Sequence, residues 1–226
     1  VRWKFKTENE VRSSPLIAGG MVFFGSLDGY LYAVYANNGQ QIWKFETEKG
    51  ISSSPIIDAG VIYFGSKDNY LYAIEALTGI QVWRFKTEGD VLSSPAIYGR
   101  MVFIGSWDSH MYSIDAKSGQ QIWKFKTGGY IRSSPAIADG MIYFGSEDNY
   151  LYSLYVETGK LRSKFKTKSS IICSPTVVDG VIYIGSWDRY LYALKASPVF
   201  TISGKVTNII TSEPMELEVV LVCLAN

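Results

Sequence analysis

Apolar residues come in short bursts along this chain, separated by polar, turn-forming residues. Between Ile51 and Asp90 the bursts cover residues 53–57, 61–64, 70–74 and 81–87. The second is β-branched and aromatic, which suits a pleated, well-packed surface. Only the last alternates cleanly, Trp83 and Phe85 against Arg84 and Lys86, as a strand with one solvated face does. The middle two are apolar throughout and need cover on both faces. Asp58-Ala59-Gly60, residues 65–69 and Leu77-Thr78-Gly79 supply the turns, where Asp and Asn tolerate left-handed backbone.

The whole unit then recurs. Pro15, Pro55, Pro95, Pro135 and Pro175 stand 40 residues apart, and Asp28, Asp68, Asp108, Asp148 and Asp188 keep the same step. Four strands per unit, with buried middle strands, predict sheets stacked face to face around an axis. The expected fold is therefore all-β: a five-bladed β-propeller of four-stranded antiparallel blades, followed by a short C-terminal β tail. Ser-Ser-Pro places the first strand innermost, because small residues fit where blades converge and Pro at a strand's start loses no ladder bond. No stretch carries the 3.6-residue period of a helical repeat.

The two ends are irregular. Residues 1–7 (VRWKFKT) repeat the outer-strand pattern, with Trp3 and Phe5 in phase with Trp43 and Phe45, while the fifth unit loses the pattern after Leu194. Residues 1–7 are thus expected to supply the last blade's outer strand and close the ring, which removes exposed edges. Because residue 1 falls inside a strand pattern, a mature or trimmed piece of a longer protein is expected. Ser163 stands where Trp43, Trp83 and Trp123 stand, so a looser junction is expected there. The propeller is assigned to residues 1–196 and a β-strand tail to 197–226.

Composition excludes several classes. The 226 residues carry 22 Lys and Arg against 21 Asp and Glu, a net charge of +1, so no global field favours nucleic acid or an acidic membrane. No apolar run reaches the length of a membrane span. Two cysteines, Cys173 and Cys223, make no disulfide framework, and Cys173 replaces a Ser of the Ser-Ser-Pro pattern.

The run AIEALTGIQVW, residues 73–83, resembles the tryptophan-docking motif of PQQ-like (quinoprotein-like) repeats, and residues 33–43 and 113–123 match it again. The resemblance covers residues 1–196. It implies that Trp3, Trp43, Trp83 and Trp123 each pack against the next blade's motif, a structural role. The family's pyrroloquinoline-quinone dehydrogenases are typically eight-bladed and use a vicinal disulfide, a calcium with Glu and Asn ligands, and a catalytic Asp. This chain has no adjacent cysteines. The better match is to non-catalytic members, such as BamB-type outer-membrane assembly lipoproteins and sensor domains of surface proteins. That branch implies an extracytoplasmic or cell-surface location, with no catalytic residue, cofactor or metal. Residues 201–222 resemble the opening of carboxypeptidase-regulatory-like β-sandwich modules.

Candidate chemistry is sparse. The five loop aspartates form a ring of carboxylates that suggests metal sites, but Asp also caps tight hairpins through backbone hydrogen bonds. His110 lacks a neighbouring nucleophile and makes neither a triad nor a zinc site. At the position after each Gly-Ser the residues are Leu27, Lys67, Trp107, Glu147 and Trp187, so the scaffold repeats while the loop tips differ. Differing tips favour one composite protein-binding site over five equal sugar sites, with a carbohydrate-binding propeller as the alternative. Trp107, Tyr130, Arg132, Trp187 and Arg189 are the candidate partner-binding residues, being types that dominate interface energetics, and are expected to share one sector of one face. The competing reading is that both tryptophans fold back over their own blades.

Overall fold

Each 40-residue unit becomes one antiparallel sheet. The computed structural model describes residues 1–196. The first sheet contains β1 (Leu16–Ala18), β2 (Met21–Gly25), β3 (Tyr30–Tyr35) and β4 (Gln41–Glu46), in that order. The second contains β5 (Ile56–Asp58), β6 (Val61–Gly65), β7 (Tyr70–Glu75) and β8 (Gln81–Lys86). The third contains β9 (Ala96–Tyr98), β10 (Met101–Gly105), β11 (His110–Asp115) and β12 (Gln121–Lys126). The fourth contains β13 (Ala136–Ala138), β14 (Met141–Gly145), β15 (Tyr150–Tyr155) and β16 (Leu161–Lys166). The fifth has three strands, β17 (Thr176–Val178), β18 (Val181–Gly185) and β19 (Leu191–Lys195). The expected C-terminal tail lies outside the described residues.

The innermost strands are shorter than the apolar pattern suggests. They begin after the proline, so Ser-Ser-Pro lies outside the ladder. Proline has no N–H to offer there, and the serines use their side chains instead. The Ser53 hydroxyl takes the N–H of Gly65, and Ser13, Ser93 and Ser133 do the same for Gly25, Gly105 and Gly145. The second serine links blades. The N–H of Ser14 donates to the Ser54 hydroxyl, Ser54 to Ser94, Ser94 to Ser134 and Ser134 to Ser174, at 2.8–3.0 Å. A girdle of hydrogen bonds therefore runs along the inner edge.

Between blades the core is apolar. Phe23, Leu31 and Ala33 of the first sheet pack against Ile62, Phe64, Tyr72 and Ile74 of the second. The connector closes each junction. Ile51, Val91, Ile131 and Ile171 are fully buried and lie so close to Gly25, Gly65, Gly105 and Gly145 that a Cβ there would overlap them. That overlap is why the Gly-Ser pairs carry glycine. On the opposite end, the outer-strand tryptophan reaches the next blade's turn. Trp83 Nε1 donates to the Ala116 carbonyl at 2.9 Å, and its ring covers Gly119. Trp3, Trp43 and Trp123 make the same contact with Ala36, Ala76 and Val156. Ser163 occupies the equivalent place in β16, opposite Ser153.

The expected closure of the ring is not made. Among the described residues no strand pairs with the outer edge of β19, and residues 1–7 form no strand. They lie on blade one instead. Trp3 bonds to Ala36, Phe5 packs edge-on against Phe24 and Tyr32, and the Leu27 N–H reaches the Glu10 carbonyl. These are the contacts that residues 43–50 make with blade two. The outer-strand pattern of residues 1–7 encodes two contacts, one to the following blade and one to its own sheet. Among the described residues only the first is satisfied. The turn per blade is set by a repeated nearest-neighbour junction, which does not depend on how many blades the chain holds.

Trp83→Ala is expected to destabilise the protein by about 3 kcal/mol or more, the usual cost of deleting a buried Trp. Gly119→Ala should also destabilise it, because φ is +71° and a Cβ would lie 2.8 Å from the indole. Urea unfolding checks both. Shifts within about 0.5 kcal/mol, the range of ordinary surface changes, would contradict this account of the junction.

Candidate functional site

The five loop aspartates are structural hubs. In blade two, Asp68 Oδ1 accepts the N–H of Tyr70, while Oδ2 accepts the Tyr72 hydroxyl at 2.8 Å and the Glu48 N–H at 3.1 Å. Asp28, Asp108, Asp148 and Asp188 repeat all three bonds, the third always to a residue 20 positions earlier. Each carboxylate thus caps its own hairpin and holds the connector entering its blade. The hairpin cap is legible in the sequence. The bond to the connector is not, although the constant 20-residue offset is its signal. With their oxygens engaged by protein donors, these residues do not fit a metal ring. Among the described residues, no group of three His, Cys, Asp or Glu side chains could hold a metal ion.

The tyrosines respond to this arrangement. Burial, and then the hydrogen bond to the aspartate, push the hydroxyls of Tyr32, Tyr72, Tyr112 and Tyr152 well above their ordinary value. At the open end, burial alone would raise the Asp188 carboxyl. The Lys168 N–H, the Tyr192 hydroxyl and the Tyr190 N–H outweigh it and hold the group below the usual range.

The loops between the second and third strands lie with the blade connectors. The Trp107 N–H bonds to the Asp90 carbonyl, the Ile131 N–H to Ser106 and the Glu147 N–H to Tyr130. The turns between first and second strands meet those between third and fourth, as where the Ala116 N–H reaches the Arg100 carbonyl. Shallow hollows of about 390 and 420 Å³ on that side share Arg100, Asp115 and Ile122. The Ser118 N–H and hydroxyl, more than Arg100, hold Asp115 below the usual carboxylate range. This is turn capping.

Three of the five candidate partner-binding residues come together on the loop side. The Trp107 and Tyr130 rings stack at 5.5 Å and 8°, and the Arg132 guanidinium lies 4.5 Å above Trp107. Arg132 also pairs with Glu147 at 2.8 Å. The cluster spans the β10–β11 loop, the connector from blade three to blade four, and the β14–β15 loop. Tyr130 keeps 48% of its surface exposed, while Trp107 is half-buried with its Nε1 sealed from solvent and without a hydrogen-bond partner. Glu147 is the member that residue-type reasoning passes over; its signal is its place at a variable loop tip.

Trp187 and Arg189 stand apart from this cluster. Both lie on the blade-five loop, and no contact joins them to Trp107, Tyr130 or Arg132 among the described residues. Trp187 is 62% exposed. Arg189 holds a left-handed φ of +76° at the position where Gly29, Asn69 and Asn149 stand, which is strained for a long side chain.

A family model described as outer membrane protein assembly factor BamB matches residues 1–47, 27–162 and 111–197, overlapping segments that run through all five blades. The chain belongs to this family. BamB from Moraxella catarrhalis has a solved structure that superposes with a TM-score of 0.76 at 20% identity, over 86% of this chain and 61% of that one. A computationally designed protein, Ika8, superposes with a TM-score of 0.72 at 16% identity, over 80% of this chain and 57% of that one. This chain therefore spans less than two thirds of either protein. At such identities the likeness establishes the propeller fold alone. No curated protein matches the chain. BamB-family membership brings in a PQQ-like repeat, but these residues do not fit the quinone: Cys173 and Cys223 are not adjacent, and the loop aspartates are engaged.

A raised tyrosine pKa means stability that is full below the ordinary value of about 10 and lost as pH rises above it. Tyr72→Phe should cost about 1–3 kcal/mol near neutral pH, through the lost bond to a charged carboxylate. It should also flatten the decline between about pH 10 and pH 12, above the ordinary tyrosine value. Urea melts across that range check it, and an unchanged slope would contradict the role given to Tyr72.

Proposed function

We propose that this chain is a non-catalytic, extracytoplasmic propeller module that binds a protein partner through its loop side, centred on Trp107, Tyr130, Arg132 and Glu147. The observation that carries this reading is the stacked Trp107–Tyr130 pair, capped by a guanidinium and left half-open at variable loop tips. Trp, Tyr and Arg are the residues that most often dominate interface energetics. An aromatic–cation stack is also pre-organised, so little side-chain freedom is lost on binding. The outer-membrane assembly family to which the chain belongs supports a scaffold role and an extracytoplasmic setting. Trp187 and Arg189 form a second candidate patch on blade five.

Capture of a partner from solubilised cell-envelope extract tests it. Trp107→Ala combined with Arg132→Ala should lower capture by about tenfold or more, the effect of losing a hot spot worth about 2 kcal/mol. The melting temperature should stay close to wild type. Unchanged capture with a large drop in melting temperature would make the cluster a packing feature. Binding of a single glycan class on an array, lost in the same variant, would favour the carbohydrate-binding alternative. Titration with pyrroloquinoline quinone and calcium should give no saturable binding; dye reduction with an alcohol substrate would overturn the non-enzymatic reading.

A further inference from the structure

The turn side of blades two and three carries aliphatic side chains that the fold does not use. In the turn between β7 and β8, Leu77 is 72% exposed and Ile80 65%, and Val82 at the start of β8 is 50% exposed. None of the three joins an apolar core among the described residues. The repeat supplies the control. The same two turn positions hold Asn37 and Gln40 in blade one, Lys117 and Gln120 in blade three, and Glu157 and Lys160 in blade four. All four turns receive the preceding tryptophan on their glycine, Gly39, Gly79, Gly119 or Gly159, so the junction works as well with polar residues there.

The aliphatic band runs on into blade three. Val82 precedes Trp83, which docks on Ala116 and Gly119, so the start of β8 adjoins the β11–β12 turn. Past that turn, Ile122 and Tyr98 are exposed on the rim of a shallow hollow. Cations stand around the band: Arg84, Arg100 and Lys117 are all exposed. The nearby carboxylates are engaged, Glu75 by the Thr78 hydroxyl and Asp115 by Ser118 and Arg100.

We propose that this edge rests on a phospholipid surface. Leu77, Ile80 and Val82 enter the acyl boundary, Tyr98 lies at headgroup depth, and Arg84, Arg100 and Lys117 meet the phosphates. The chemistry favours lipid over a protein partner. Leu and Val are under-represented among the residues that dominate protein interfaces, whereas Leu, Ile and Val are among those most stable in hydrocarbon. The side chains also project from a turn beside an open hollow, an uneven edge that a fluid acyl layer fills without a complementary groove. Cations beside apolar side chains match anionic headgroups. Turns and loops lie at opposite ends of the antiparallel strands, so lipid held here leaves Trp107 and Tyr130 free for a partner.

Flotation of the full chain with vesicles of phosphatidylcholine and phosphatidylglycerol in equal parts tests the proposal. The protein should float with them. Leu77→Asn combined with Ile80→Gln, the residues blade one carries at these places, should weaken binding by about tenfold or more, the equivalent of withdrawing two aliphatic side chains from hydrocarbon. The melting temperature without vesicles should not change. Lys117→Glu should weaken binding by about fivefold or more, and less on phosphatidylcholine alone. An environment-sensitive label on Leu77→Cys, in a chain also carrying Cys173→Ser and Cys223→Ser, should move from water to an apolar setting when vesicles are added. The same label on Lys67→Cys, on the loop side, should stay in water. Failure of the wild type to float, or equal flotation of the double variant, would overturn the proposal. A lower melting temperature in the double variant would make Leu77 and Ile80 packing residues and overturn it too. So would a label at position 77 already shielded without vesicles, which would mean that residues 197–226 or a second copy cover the edge.

Discussion

The junction between successive blades is the constraint on which this protein depends. A single four-stranded sheet with two apolar faces has no stable form in water; it persists only when a neighbour covers each face. Each junction is therefore built redundantly. The indole anchors its outer end, the connector Ile or Val fills the space over a glycine, the aspartate holds the incoming backbone, and the serine hydroxyl links the inner strands. Each of these contacts recurs with the same 40-residue step, except the indole, whose place Ser163 takes in blade four.

The loop tips vary from blade to blade for the same reason. A residue that anchors a junction cannot change without weakening two blades, whereas Leu27, Lys67, Trp107, Glu147 and Trp187 sit outside that set of contacts. The Trp107–Tyr130–Arg132–Glu147 cluster arises where two such tips flank one connector. Its chemistry comes from a local departure from the repeat, and membership of the BamB family says nothing about it at 20% identity.

Much of the fold is legible in the sequence because periodicity records burial directly. The four bursts per unit become four strands, and the residues of β6 and β7 are buried or half-buried except for Glu75. The inner strands were harder to read: serine side chains replace ladder hydrogen bonds before the proline, and no apolar pattern reports that exchange. Trp3 and Phe5 announce an outer strand, but sequence phase alone does not say which sheet that strand joins. Grouping Trp187 with Trp107 by residue type also misses that one is stacked under a neighbour while the other stands exposed. Shared position in the repeat does not imply shared surroundings: Trp187 lies on the last described blade.

The central claim is that, among the described residues, the five blades form an open array whose last sheet has three strands. Amide hydrogen exchange on dilute protein, resolved strand by strand, tests it most directly. The amides of β3, β7, β11 and β15 that face the outer strand should exchange slowly, while those of Leu191 and Ala193 exchange fast because no described strand pairs with that edge. Equal protection of β19 at high dilution would mean that a segment of the same chain pairs with its outer edge, and would contradict the account.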